Sequence, residues 1–565
     1  YNGTAAVTLT VSDGTATAAR TFNLVVTAND PLYQYQWHLD NTGQSNFASN
    51  VGVSGVDHNI DGVITDGYTG SGVVVAITDS GLEIGHEDLA ANVVSNGSYD
   101  FCNSDNDPSP SSSGGGDHGT SVAGLTASVG WNAKGGRGVA PSASLKGFNI
   151  LCGSVSDANQ IKALGGGSWS QSQDVDIFNE SWGYETVFDW AIKPAYEAQW
   201  IAGTTNLRDG KGAIYVKSSG NGFIDLGSGS GYRKCSLLWG NLNNGEHSCQ
   251  STNHDPDQTI PENINVAALD AAGYSATYST GGSGVWVSGA GGEYGQTYPA
   301  MMTTDVSGCS GGSVKSGVSG ANAFNNQGNH SENASCNYHS AFNGTSSAAP
   351  VVAGGIALIL EANPALTWRD VKHLLATTSD QVHANVGNRG EVVNGVALVV
   401  EPGWLTNAAG HKFHNWYGFG RMNVGAAVAA AKIMTANNLG TYGVTSWQNS
   451  GTLNSTIPAN NATGVTKTMS VSGSTSIEAV QINVNIGHAC TGSIQIELTS
   501  PGGTKSVLKN AFDSFGGDDN LINMKLLSNA FYGEDTAGTW SLKVIDGYSC
   551  GAGYLANWSI RFMGH

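Results

Sequence analysis

The sequence predicts an α/β domain, a parallel sheet flanked by helices, followed by an all-β sandwich of jelly-roll type. Three observations predict it. The apolar run Gly72-Val73-Val74-Val75-Ala76-Ile77 has no polar interruption, the pattern of a parallel strand buried on both faces. Strand and helix signals alternate from about residue 30 to 440. Beyond about residue 460 the pattern changes to short alternating strands separated by Gly and Pro turns.

Residues 1–29 hold two alternating segments, Val7-Thr8-Leu9-Thr10-Val11 and Thr21-Phe22-Asn23-Leu24-Val25-Val26, around the turn Ser12-Asp13-Gly14-Thr15. Two strands are too few for an independent domain. They resemble the tail of a cadherin-like or immunoglobulin-like repeat. The sequence opens inside this pattern, so any leader is expected to have been removed or to lie outside it. Within 30–440, Val175-Asp176-Ile177-Phe178 and Ala213-Ile214-Tyr215-Val216 are further strands, and Ser346 to Glu361, Trp368 to Thr377 and Val424 to Met434 are helices. Residues 441–460 are rich in Ser, Thr, Asn and Gly and read as a linker. Residues 461–565 carry the sandwich strands, among them Ala479 to Val484, Ile494 to Leu498 and Trp540 to Ile545.

The 565-residue chain carries a net charge of −20 with only 12% charged residues and 79 glycines, a turn-rich globular composition with few surface ion pairs. That balance disfavours nucleic acid and anionic membranes as partners and favours cations, whether basic peptides or divalent metals. The longest apolar stretch, Ala348 to Leu360, is too short to span a membrane and contains Gly354 and Gly355. Eight cysteines with no Cys-x-x-Cys pair favour disulfides over zinc and point to an oxidising compartment. Cys490 and Cys550 stand alone in the C-terminal region and should pair. Nearest-neighbour pairing then gives Cys102–Cys152, Cys235–Cys249 and Cys309–Cys336, with buried free thiols as the alternative.

Three motifs carry chemistry. Asp79-Ser80-Gly81 closes the buried strand, at the carboxyl edge where parallel sheets place ligands. His118-Gly119-Thr120 opens an apolar segment. Gly344-Thr345-Ser346-Ser347-Ala348-Ala349-Pro350 opens a helix, where small residues admit a substrate backbone and the helix N-terminus favours negative charge. Singly, the first two are ordinary turn and cap signals. Together, in the order Asp, His, Ser, they are similar to the subtilisin arrangement of a serine peptidase.

With Ser181-Trp182-Gly183, Ser219-Gly220-Asn221-Gly222 and Leu366-Thr367-Trp368-Arg369-Asp370, the region 30–440 resembles the subtilisin family, nearest to kexin/furin-like proprotein convertases of a bacterial secreted form. The C-terminal region, through Leu498-Thr499-Ser500-Pro501-Gly502-Gly503-Thr504, Gly538-Thr539-Trp540 and Gly553-Tyr554-Leu555 with Trp558, resembles the convertase P domain.

The resemblance implies a secreted, calcium-dependent serine endopeptidase, exported through an oxidising periplasm. Ser346 is the expected nucleophile, His118 its base, Asp79 the residue that orients His118, and Asn221 an oxyanion donor beside the Ser346 amide. Ser181-Trp182-Gly183 would pair with the substrate backbone. Asp255 or Asp257 would accept a substrate Lys or Arg, with less demand for paired basic residues than in furin-like enzymes. Ser80 and Gln160 stand where those enzymes carry acids, and the segment after Gly183 offers only Glu185 and Asp189.

The family's tight calcium site maps onto Asp30, Asp88 and Asn132, with carbonyls from Val129, Lys134 and Gly136. Asp100, Asp105 and Asp107 form a second candidate, against the plainer reading of an acidic turn. A further family site is absent, because Thr186 and Thr280 replace acids. Expected partners are protein or peptide substrates and a propeptide or dedicated folding chaperone. A broad-specificity nutrient peptidase and a catalytically silent adhesion module are the competing readings.

Overall fold

The computed structural model describes the chain except residues 1–2, 27–28, 111–116, 154, 184–193, 225–234, 236–238, 240–245, 316–319, 327 and 516–519. Glu185, Thr186 and Asp189 lie outside the described residues.

The chain begins with an antiparallel pair, β1 (Gly3–Ser12) and β2 (Thr17–Val26). Its turn is closed by the Asp13 carboxylate, which accepts N–H bonds from Thr15 at 2.9 Å and Ala16 at 2.7 Å. Seven strands then build the central sheet: β3 (Val74–Asp79), β4 (Tyr99–Asp100), β5 (Ser144–Asn149), β6 (Ile177–Glu180), β7 (Ile214–Ser218), β8 (Asn263–Leu269) and β9 (Val285–Ala290). They are all parallel, in the order β4-β5-β3-β6-β7-β8-β9. The chain leaves β3 toward β4 and β5 on one side and returns to β6 on the other. The strand order reverses there, and such a switch point opens a crevice at the carboxyl ends. Asp79 is the last residue of β3.

Both faces of the sheet are covered, which is why β3 is apolar at consecutive positions. Val75 and Ile77 belong to one core, packed with the helices Asp117–Ala127 and Thr345–Ala362. Ala76 belongs to the other, with Phe178, Tyr215, and Tyr196 and Trp200 of the helix Pro194–Asn206. Thr345–Ala362 is long and apolar enough to cross a membrane, but 83% of it is buried inside the fold. Its glycines serve packing: a Cβ on Gly354 would stand 2.6 Å from Val139, and one on Gly355 2.5 Å from the Met422 methyl.

The C-terminal region is two antiparallel sheets face to face. Asn461–Val471, Gly538–Asp546, Ile494–Thr499 and Lys505–Lys509 form one; Gly553–Gly564, Ile477–Gly487 and Leu521–Ser528 anchor the other. Trp540, Trp558, Ile482 and Leu542 fill the space between them. The expected linker, 441–460, is not free: Gly443–Val444, Gln448–Asn449 and Ser455–Ile457 each pair with Gly553–Gly564. Most of their side chains face solvent, so the apolar signal of a strand is faint there, although Ile457 is fully buried. The cysteines form the disulfides Cys102–Cys152, Cys235–Cys249, Cys309–Cys336 and Cys490–Cys550, leaving none free.

The sandwich docks on the α/β region through buried polar contacts. Arg369, in the helix Trp368–Thr378, donates from Nε to Glu478 at 2.9 Å and from Nη1 to the Gly440 carbonyl at 2.7 Å. Asn253 donates from its amide to the carbonyls of Leu508 at 2.8 Å and Leu527 at 3.1 Å, and accepts the Leu527 N–H at 2.8 Å. Removing one partner of a buried ion pair strands the other. Arg369→Ala is therefore expected to lower stability by about 3–5 kcal/mol, read as a fall in the thermal midpoint.

Candidate active site

The site is assembled where the carboxyl end of β3 meets the starts of two helices. Asp79 is wholly buried at that strand end, and its Oδ1 accepts the Ser80 N–H at 2.7 Å. His118 is the second residue of the helix Asp117–Ala127, and its Nδ1 lies 2.8 Å from the same oxygen. Nε2, on the far side of the ring, is thereby directed away from Asp79. The side chain remains 35% exposed, with Phe342 against the ring at 5.4 Å between centroids. Burial alone would lower the imidazole's affinity for a proton. The neighbouring Asp79 carboxylate outweighs that, with Asp117 adding to it, and holds His118 above its ordinary value of 6.5. Gly119 is required here, since a Cβ would stand 1.9 Å from the Gly81 carbonyl oxygen.

Ser346 is the second residue of the helix Thr345–Ala362. Pro350, four residues on, has no N–H to give the Ser346 carbonyl. Ser181 Oγ supplies that bond at 2.9 Å, and Ser346 Oγ donates in return to the Ser181 carbonyl at 3.1 Å. The reciprocal pair ties the helix start to the segment after β6.

Asn221 follows β7 in a loop turned by Gly220, φ +105°. Its Oδ1 accepts both the N–H and the hydroxyl of Thr345, at 2.9 and 3.0 Å. Its Nδ2 and the Ser346 backbone nitrogen lie 3.3 and 3.5 Å from the point where a Cβ on Gly344 would sit. Gly344 has φ +98°, so glycine is favoured there on two counts. The Asn221 side-chain amide and the Ser346 backbone nitrogen thus lie near one another beside the helix N-terminus, which favours negative charge.

Around this centre the structure brings together the other expected residues unevenly. Ser181, Trp182 and Gly183 run directly past Ser346, with Gly183 exposed. Asp255 and Asp257 are buried, each 5% exposed. Asp255 caps the short turn Pro256–Thr259 by accepting the Asp257 N–H at 3.0 Å, and its Oδ2 would stand 3.0 Å from a Cβ on Gly183. Gln160 accepts the Tyr196 hydroxyl at 2.5 Å, and Thr280 accepts the Gly222 N–H at 2.8 Å. The loop closed by Cys309–Cys336 reaches the flank of His118, where Ser313 Oγ donates to Asp117 at 2.7 Å.

Of the tight calcium set, Asp30, Asp88 and Asn132 lie together. Asn132 donates through Nδ2 to Asp88 Oδ1 at 2.6 Å and through its backbone N–H to Asp30 Oδ1 at 3.0 Å. The loop 129–136 holding Val129, Lys134 and Gly136 wraps the Asp88 carboxylate so closely that a Cβ on Gly135 would stand 2.4 Å from Oδ2. That oxygen is buried without a hydrogen bond, and burial pushes Asp88 up to about 8. A buried acceptor facing a second carboxylate fits a hard divalent cation. Arg137 meanwhile bridges Asp30 at 3.0 Å.

The second set is engaged in local hydrogen bonds. Among the described residues no three carboxylates, histidines or cysteines gather to hold a metal. Asp100 is consumed by Cys102 N–H at 2.6 Å, Asn103 N–H at 2.9 Å and the amides of Asn103 and Asn149 at 3.0 and 3.1 Å. Asp105 and Asp107 close local turns by accepting the N–H two residues on.

Sequence reading missed Thr345 as the residue that turns Asn221, Phe342 as the wall of His118, and Lys217 beneath Trp182. Thr345 sits inside the serine motif and was open to recognition; the other two carry no local signal.

The Subtilase family model matches residues 70–420, and the Proprotein convertase P-domain model matches residues 477–562. The chain is 35% identical to the Aeromonas extracellular serine protease of Aeromonas sobria, over 92% of this chain and 84% of that protein. It is 30% identical to Furin-like protease 2 of Drosophila melanogaster, over 95% of this chain but 28% of that much longer protein. The crystal structure of a serine protease of Aeromonas sobria superposes with a TM-score of 0.88 at 32% identity, covering 96% of both chains. The complex of that protease with a chaperone gives 0.87 at 32% identity, covering 95% of both. With a family model spanning residues 70–420 and a relative 35% identical over 84% of its own length, this chain belongs to the subtilase family of serine peptidases, and its C-terminal region to the proprotein convertase P-domain family.

Proposed function

We propose that the chain is a secreted, calcium-dependent serine endopeptidase that cleaves after Lys or Arg through Ser346, His118 and Asp79. The observation that supports this reading is the 2.8 Å pairing of His118 Nδ1 with the buried Asp79 at the carboxyl end of β3, alongside a Ser346 hydroxyl at a helix start next to Asn221. Rotation of the Ser346 side chain from the Ser181 carbonyl toward His118 begins the reaction. His118 Nε2 takes the hydroxyl proton as Oγ bonds to the substrate carbonyl carbon. Asn221 Nδ2 and the Ser346 N–H stabilise the oxyanion. His118 then returns the proton to the leaving amine as the C–N bond breaks, and water releases the acyl group by the same route. Asp79 holds the ring with Nδ1 toward itself throughout and stabilises its cationic form.

Basic specificity is supported by the buried Asp255 under Gly183, by the buried Asp257 beside it in sequence, and by the furin-like relatives. Secretion is supported by the disulfides and by the extracellular Aeromonas relative. A dedicated chaperone is the folding partner suggested by the neighbouring protease–chaperone complex. Calcium would be held by Asp30, Asp88 and Asn132 with the carbonyls of Val129, Lys134 and Gly136. Bound there, it would supply charge to fix the loop that follows the His118 helix.

The test of the reading is fluorophosphonate labelling with cleavage-site profiling. Labelling at Ser346, lost in Ser346→Ala, together with cleavage dominated by Lys or Arg, is the expected result; dominant cleavage after Leu or Phe overturns the basic preference. The pH profile follows from the raised His118 value. A protonated imidazole accepts no proton, so kcat/KM should fall as pH drops, with a midpoint above 6.5. Calcium that binds only the folded state raises the thermal midpoint by mass action, by about 2.7 kcal/mol of stability at a hundredfold excess over Kd. Chelation should reverse the rise, and Asp88→Asn should remove it.

A further inference from the structure

A buried lysine tethers the segment Ser181-Trp182-Gly183. Lys217, in β7, is fully buried, and its Nζ donates to the Trp182 carbonyl at 3.1 Å. The same ammonium lies 3.9 Å from the centroid of the Trp182 ring, 3.6 Å from Glu180 Oε2 and 4.0 Å from Asp257 Oδ2. A buried ammonium persists only when it is paired and hydrogen-bonded. Here Glu180, itself wholly buried, is the nearest counter-charge, and the indole face adds a cation–π contact. The lysine is therefore fixed, and so is the carbonyl it binds.

A peptide unit is planar and trans, so the Trp182 carbonyl and the Gly183 N–H point in opposite directions. A carbonyl drawn inward by Lys217 turns the Gly183 N–H outward. Gly183 is exposed. We propose that Lys217 is a positioning residue that aims the Gly183 N–H into the cleft, as a donor to a backbone carbonyl of the peptide on the acyl side of the scissile bond. The inference rests on the reading of residues 181–183 as the substrate-pairing segment. It assigns Lys217 to recognition of substrate backbone, apart from the acids that read the side chain.

The test compares two substrates with the same residue before the scissile bond: a peptide extending four residues on the acyl side, and a single-residue ester. In the wild type the peptide has the higher kcat/KM, because only it reaches Gly183. In Lys217→Met/Glu180→Gln, which removes the lysine together with its nearest counter-charge, the peptide-to-ester ratio should fall about tenfold, mainly through KM, as expected for loss of one backbone hydrogen bond. Ester turnover should fall far less, and Glu180→Gln alone should keep the wild-type ratio. An unchanged ratio in the folded double variant, or equal loss on both substrates, overturns the inference while leaving the proposed function standing. Absence of any peptide advantage in the wild type overturns the substrate-pairing reading and the inference with it. Should the methionine variant not fold, Lys217→Gln/Glu180→Gln serves instead. Its shorter stem takes the donor out of reach, and a fall of at least about threefold supports the inference, whereas no fall overturns it.

Discussion

The first turn of the helix Thr345–Ala362 is the constraint on which the rest of the site depends. Its interior is locked into the core by apolar residues and by glycines that admit Val139 and Met422 at close range. Its start is bound on three sides: by Asn221 through Thr345, by Ser181 through the carbonyl that Pro350 leaves open, and by the turn at Gly344. The oxygen and the amide of Ser346 thus inherit the rigidity of a buried helix. Preorganised donors cost no reorganisation when charge develops, so this rigidity bears directly on rate.

The same logic extends outward to the C-terminal sandwich. The segment 249–259, which carries Asp255 and Asp257, is gripped along its length by that region. The Cys249 carbonyl accepts the Ser514 N–H at 2.8 Å, His254 Nε2 lies 3.1 Å from Asp513, and the Thr259 carbonyl accepts Gln481 at 2.6 Å. Asn253 closes three further bonds to Leu508 and Leu527. Asp255, beneath Gly183, and its neighbour Asp257 are therefore held partly by the C-terminal region. That dependence gives the P-domain a physical reason to accompany the peptidase fold.

Two departures from the sequence reading share one cause. Residues 441–460 look like a linker because edge strands bury few side chains and leave little periodicity to read. For Asp100, Asp105 and Asp107 the sequence shows the charges but not the local N–H groups their carboxylates accept. In both, the deciding information is a backbone partner far away or a turn geometry that composition does not encode. Phe342 and Lys217 escaped for the related reason that their partners, His118 and Trp182, are distant in sequence.

What the sequence by itself determined is chemical identity and chain order. The buried apolar run ending in Asp79, the His-Gly-Thr helix start and the small-residue frame around Ser346 are local patterns, each dictated by sterics within a few residues, and they can be read without coordinates. The cysteine pairing was also legible, since neighbours in sequence closed each bridge. Tertiary structure alone decided the distances. The 2.8 Å between His118 and Asp79, the bond from Thr345 to Asn221, and the burial of Lys217 under Trp182 all join different strands and helices. Such contacts depend on how the sheet orders its strands, and strand order is set by packing across the whole domain rather than by any single segment.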